Sequence, residues 1–196
     1  MTGKETARVC PWQCAWFLDN WIRRLIHNPD KILDGYIEKG QTVLDLGSGP
    51  GMFSLAMAKM VGEKGKVISV DIQEEMLRIL RQKGERAGLD SRILFHKSRP
   101  DEIGLSENVD FALAFYMVHE VPNKEGFLRE VASLLKTKGK FLIVEPKHHV
   151  SETSFEETVK VAESAGLSPI SRPKIFFSRA ILLQKNSSQD YGLSGF

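Results

Sequence analysis

Three glycines and two aspartates carry the most specific chemistry in this chain. The segment Val43-Leu44-Asp45-Leu46-Gly47-Ser48-Gly49-Pro50-Gly51 runs from an apolar stretch into a glycine-rich turn. Asp71 closes the next apolar stretch, about 20 residues further on. Glycine has no Cβ, so backbone there can approach a ligand closely and adopt positive φ. Successive amides at a helix start then face an acceptor group. A carboxylate at the end of the following strand can accept hydrogen bonds from both hydroxyls of a ribose. The pattern therefore points to an adenosine-bearing cofactor. The dinucleotide fingerprint Gly-x-Gly-x-x-Gly is not met, because Met52 stands where its third glycine belongs. Asp45, two residues before the first glycine, would repel a pyrophosphate but suits a cofactor carrying an ammonium group.

A second group of reactive residues follows two later apolar runs. After Phe115-Tyr116-Met117-Val118 come His119, Glu120, Val121 and Pro122, and Glu145 is followed by Pro146, Lys147, His148 and His149. His119 is the leading acid–base or substrate-orienting candidate, because an imidazole titrates near neutral pH. A core or capping histidine is the competing reading. Glu120 reads as its partner or as a solvated residue, and one of His148 and His149 as a substrate contact or simply exposed.

The elements that must position these groups alternate along the chain. Strands are predicted over Thr42–Leu46, Lys66–Val70, Arg92–His96, Asp110–Tyr116 and Lys140–Glu145. Helices are predicted over Met52–Val61, Glu74–Ala87, Glu125–Leu135 (stopped by Gly139) and Glu156–Ala165. Ser168–Ser171 and Phe176–Gln184 read as a closing antiparallel hairpin. Strands separated by helices imply right-handed crossovers and a parallel sheet covered on both faces. Ligands bind such sheets beyond the carboxyl ends of the strands, which is where Asp45, Asp71 and His119 fall. Upstream, Pro11–Ile26 reads as a helix and Pro29–Ile37 as a shorter one. Together they make residues 1–41 a helical appendage or lid, followed by a cofactor-binding domain over 42–185 and a tail over 186–196.

Asp45-x-Gly47-x-Gly49-x-Gly51 with Asp71 resembles the signature of class I S-adenosylmethionine-dependent methyltransferases, over about residues 42–185. The wording VLDLGSGPG resembles the small-molecule branch that includes quinone-biosynthesis and arsenite methyltransferases. The resemblance implies an α/β, Rossmann-like, seven-stranded, mostly parallel sheet in the order 3-2-1-4-5-7-6, with the last strand antiparallel. It implies that Asp45, Gly47, Ser48, Gly49 and Gly51 hold the methionine portion of S-adenosylmethionine and that Asp71 holds the ribose. Ile72 would pack on the adenine, Ser98 and Arg99 would border it, and Phe115 and Tyr116 would border the methyl group and acceptor. Ser98 departs from the aspartate that the family often places there. His119 and Tyr116 are the catalytic candidates. No Asn/Asp-Pro-Pro-Tyr/Phe segment, Pro-Cys nucleophile or acidic magnesium trio is present, which favours a small or lipophilic acceptor and no metal.

Composition removes other classes. The chain has 196 residues, 42% hydrophobic and 27% charged, the balance of one globular unit. Its net charge of +2 argues against a dedicated nucleic-acid binder. The longest apolar run, Phe111–Val118, is far shorter than the roughly 20 residues that span a bilayer. The first ten residues lack a secretory pattern, so the expected compartment is cytoplasmic. Cys10 and Cys14 are the only cysteines; they read as packing residues, with soft-metal or arsenic chemistry, in which the thiols hold the substrate itself, as the alternative. Trp12, Trp16 and Trp21 share the first predicted helix, where they would anchor it or cover an acceptor. The competing functions are a nicotinamide-dependent oxidoreductase and a non-catalytic S-adenosylmethionine-binding accessory protein.

Overall fold

The apolar runs pair side by side into one sheet. In the computed structural model, which describes residues 26–187, the strands are β1 (Thr42–Leu46), β2 (Lys66–Asp71), β3 (Ile93–Lys97), β4 (Val109–Phe115), β5 (Leu135–Pro146), β6 (Leu167–Ser171) and β7 (Ser178–Lys185). Their order is β3-β2-β1-β4-β5-β7-β6, and β1 to β5 run parallel while β7 is antiparallel to both its neighbours. This is the Rossmann-like order anticipated above. Trp12, Trp16, Trp21, Cys10, Cys14 and residues 188–196 lie outside the described residues.

Both faces of the sheet are covered, so the central strands are apolar almost throughout. Period-two alternation sends Leu44, Leu46, Ile68, Ala112 and Ile143 to one face, where they meet Leu128 and Val131 of α4 (Lys124–Leu134) and Phe155 and Val159 of α5 (Glu152–Ser164). Val43, Val67, Phe111, Leu113 and Val144 point the other way. There they meet Leu33 of α1 (Pro29–Leu33), Phe53 and Met57 of α2 (Met52–Met60) and Leu80 of α3 (Glu74–Ala87). The same alternation puts Asp45 on the α2 side of β1, a polar group set into an otherwise dry layer. Among the described residues, no helix is long and apolar enough to cross a membrane.

Several boundaries differ from expectation for local reasons. α1 stops at Leu33 rather than Ile37, where the chain turns through Gly35 at φ +75°. Gly139 does not stop the fourth helix: α4 ends at Leu134, and Leu135 turns extended and pairs with Val109. Gly139 instead sits in an irregular stretch of β5, where an added Cβ would lie 2.8 Å from the Lys136 carbonyl oxygen. α5 starts four residues early because Ser151 caps it, accepting from the Ser154 amide at 3.1 Å.

The crossover from β3 to β4 carries no helix among the described residues. Its loop is held by Glu130 of α4, which accepts from the Ile103 amide at 2.8 Å and the Gly104 amide at 2.7 Å. This clasp brings residues 98–103 over the carboxyl ends of the strands.

Gly51, at φ +92°, caps α2, and a Cβ there would lie 2.1 Å from Leu80 Cδ1. Gly51→Ala should therefore lower stability by about 2–4 kcal/mol, combining left-handed strain with overpacking. Urea denaturation checks this, and adding Leu80→Ala should relieve none of the backbone strain.

Candidate active site

Beyond the carboxyl ends of β1, β2, β4 and β5 lies a cleft of about 750 Å³, the size range of small-ligand sites. Asp45, Gly47, Ser48, Gly49, Asp71, Ile72, Ser98, Arg99, Phe115, Tyr116 and His119 all border it. Gly51 does not; its backbone faces α3, so its place in the motif is conformational.

At one end, the loop after β1 is fastened to the end of β2. The Ser48 amide donates to the Val70 carbonyl at 2.9 Å. Asp71 Oδ2 accepts from the Gly49 amide and Oδ1 from the Gln73 amide, each at 2.9 Å. The carboxylate keeps acceptor capacity for a ligand hydroxyl. Gly49 sits at φ +51°, and a Cβ there would project into open space. Gly47, at φ +66°, is crowded instead: a Cβ would come within 3.0 Å of Met117.

Asp45 is 2% exposed and its Oδ2 accepts from Ser54 Oγ at 2.5 Å. Burial raises its pKa to about 7, the Ser54 hydrogen bonds oppose the rise, and the neighbouring Asp71 charge adds to it. Burial also raises the Asp71 pKa, opposed by amides of Gln73, Gly49 and Ile72. Ser54 was missed in the sequence. Its signal was a hydroxyl in the first turn of the helix after the glycine loop, on the side that must face β1.

The other end of the cleft is built from β4 and β5. Phe115 packs on Phe53 and Tyr116, each with ring centroids 4.4 Å apart. Tyr116 has φ +61°, and its hydroxyl is hydrogen-bonded to Ser178 Oγ at 2.6 Å and His27 Nε2 at 3.0 Å. Those partners are buried, so the hydroxyl also anchors His27 to the sheet. His119 lies in a short 3-10 turn, Val118–Glu120, and its Nδ1 is hydrogen-bonded to Glu145 Oε2. Glu145 Oε1 accepts from the Val118 amide at 2.9 Å. That hydrogen bond raises the His119 pKa more than burial lowers it, and the charges of Glu145 and Glu120 add to the rise. Glu145 received no role in the sequence; only the pairing of β4 with β5 brings it to His119. His148 and His149 also border this end. Among the described residues, no group of three or more His, Cys, Asp or Glu side chains is placed to hold a metal ion.

A family profile described as a methyltransferase domain matches residues 37–187. The chain belongs to that family. The methyltransferase is 33% identical over 110 residues to the ubiquinone/menaquinone biosynthesis C-methyltransferase UbiE of Escherichia fergusonii, an alignment covering 56% of this chain and 44% of that protein. It thus spans less than half the length of this curated relative. Among solved structures, a SAM-dependent methyltransferase from Aquifex aeolicus superposes with a TM-score of 0.81 at 28% identity, covering 90% of this chain and 99% of that one. An arsenic(III) S-adenosylmethionine methyltransferase from Chlamydomonas reinhardtii shares the fold, with a TM-score of 0.62 at 20% identity over 78% of this chain and 65% of that one.

The cofactor of such enzymes, S-adenosylmethionine, fits the residues present. Ser48 Oγ is buried with no hydrogen-bond partner among the described residues, and the Gly49 side of the loop opens onto free space. α2 begins at Gly51 with no side-chain cap, leaving its first-turn amides for an anionic group such as a carboxylate. Asp45 could meet the ammonium group and Asp71 the ribose hydroxyls.

A cation beside Asp45 stabilises its ionised form and so lowers its pKa from about 7. Binding S-adenosylmethionine should therefore expel a proton near and below neutrality, and affinity should fall as pH drops from 8 to 6. Calorimetry in buffers of different ionisation enthalpy should register proton release in wild type and none in Asp45→Asn.

Proposed function

We propose that this methyltransferase transfers the methyl group of S-adenosylmethionine to a small, largely apolar acceptor and works in the cytosol. The observation that carries the reading is the pair of buried carboxylates, Asp45 and Asp71, meeting at a glycine loop that opens into the cleft. When bound, S-adenosylmethionine supplies an electrophilic methyl group on a sulfonium.

Every other task falls to the chain. Asp45, Ser48 and the amides of Gly47 and Gly49 receive the amino-acid portion, and Asp71 receives the ribose. Ile72, Ser98 and Arg99 border the adenine, and the clasp of Glu130 on Ile103 and Gly104 holds their loop in place. Phe115, Met117, Val121, Pro122, Phe127 and Pro146 line the remaining space. Such a surface accepts a flat apolar molecule and excludes water, which suits an in-line displacement whose main requirement is placement. The quinone-pathway name carried by UbiE supports an acceptor of that kind. The lid role expected of the N-terminal appendage remains part of this reading, and of its described residues His27 is tied to Tyr116 at this end.

Asp45 at the loop also weighs against a nicotinamide dinucleotide, whose pyrophosphate would meet its charge. Asp71→Ala should weaken S-adenosylhomocysteine binding about tenfold or more, since two hydroxyl hydrogen bonds of about 0.5–1.5 kcal/mol each lose their acceptor. Isothermal titration reads this directly. Methylated products should then appear when wild type is given S-adenosylmethionine and a panel of aromatic and quinol acceptors. Cofactor binding without any product would mark an accessory protein, and tighter binding of a nicotinamide dinucleotide would overturn the assignment.

A further inference from the structure

The pairing of His119 with Glu145 bears on which acceptors the site can use. Glu145 is 2% exposed, and both its oxygens are committed, Oε1 to the Val118 amide and Oε2 to His119 Nδ1. A carboxylate held this way fixes the imidazole ring and its tautomer: Nδ1 carries a proton and donates it, leaving the Nε2 lone pair free to accept one. This is the geometry of a base oriented by a third group. His119 borders the cleft together with Glu120, His148 and His149, with Met117, Val121, Pro122 and Pro146 also in the lining. A methyl acceptor that arrives already nucleophilic needs no such device.

We propose that His119, oriented by Glu145, is a general base, and that the acceptor is therefore a phenol or enol whose hydroxyl it deprotonates. This rests on the methyltransferase reading and names the substrate class within it. The hydroxyl proton passes to His119 Nε2, and the O–H electron pair stays on the acceptor oxygen. The imidazole becomes imidazolium, and its charge is met by the Glu145 carboxylate. The acceptor anion spreads onto the ring carbons beside the oxygen, so the same step activates oxygen or carbon for methylation. An imidazole is matched to acids of this strength and is too weak a base for an aliphatic alcohol.

The charged and titratable groups facing His119 are consistent with a base that works above ordinary imidazole pH. Glu145 faces it from β5, Glu120 lies 4.0 Å from Nε2 on its own turn, Lys124 opposes them from the start of α4, and His149 lies 6.0 Å away between ring centroids. His148 packs in turn on His149. The two glutamates outweigh Lys124, and the His119 pKa is raised.

The test needs no turnover. The full chain is titrated with 4-nitrophenol, whose anion absorbs in the visible, with and without S-adenosylhomocysteine, whose own binding is measured separately by calorimetry. Wild type should bind 4-nitrophenol and hold an excess of the anion over bulk solution at the same pH. His119→Gln should lower that excess about tenfold while still binding 4-nitroanisole. Glu145→Gln should move the His119 ring resonance, followed by NMR, to a lower titration midpoint; a merely structural glutamate would not move it. Should that variant fail to fold, the wild-type 4-nitrophenol titration still decides. No 4-nitrophenol binding, or binding only as the neutral phenol, overturns the proposal. In each case, retained S-adenosylhomocysteine binding leaves the methyltransferase reading standing.

Discussion

The bond between Asp71 and the Gly49 amide is the constraint on which the cofactor end depends. It ties the end of one strand to the loop leaving the next, and the Ser48 amide reinforces it through the Val70 carbonyl. The consequence is electrostatic as well as geometric. Two acids are drawn out of water at the same loop, with amides and one hydroxyl as their hydrogen-bond partners. Amides stabilise a carboxylate but do not cancel its charge, so burial lifts both acids above their ordinary range, and the Asp71 charge adds to the rise at Asp45. The fold thereby holds a region that a cation relieves. A glycine is needed at 49 because the donated amide sits on backbone at positive φ, and a side chain there would project into the cleft.

The acceptor end is assembled by a different rule. β4 and β5 lie side by side in register, Phe115 opposite Val144, so whatever follows each strand arrives at the same edge. His119 and Glu145 are 26 residues apart in sequence and share a hydrogen bond because the sheet is parallel there. The buried glutamate also accepts from Val118, which holds the turn that carries the histidine. Position and protonation of His119 are thus set by one side chain.

Much of this was legible from the residues, and the boundary of legibility has physical causes. The glycine loop and Asp71 follow from local patterns, an apolar run, a turn and an acid at fixed spacing, whereas the strand order came only from the family resemblance those patterns carry. Asp45 and Ser54 form a contact between a strand and the helix it precedes, visible only once the helix's facing side is known. Glu145 was invisible as a partner because its pairing depends on strand adjacency, which residue spacing does not encode. Gly139 misled because glycine marks both helix ends and irregular strand segments, and here close approach to the Lys136 carbonyl decided between them. The Tyr116 hydroxyl follows β4 as read, and its ties to Ser178 and His27, from distant parts of the chain, are contacts that residue spacing does not encode.

The two ends of the cleft share a preference for the same side of neutrality, by independent routes. At the cofactor end, an ammonium group is welcome only when Asp45 is ionised, which requires pH near or above 7. At the acceptor end, His119 serves as a base only when Nε2 is unprotonated, and Glu145 moves that condition upward. Acidification therefore acts twice, once on the affinity for the cofactor and once on the proton transfer, and the two losses enter different kinetic quantities. On the roles proposed for them, a falling pH should raise the cofactor concentration needed for half-saturation through Asp45 and lower turnover through His119. One titration curve fitted to overall activity would merge them. Saturating cofactor removes the Asp45 contribution and leaves the limb that belongs to the histidine.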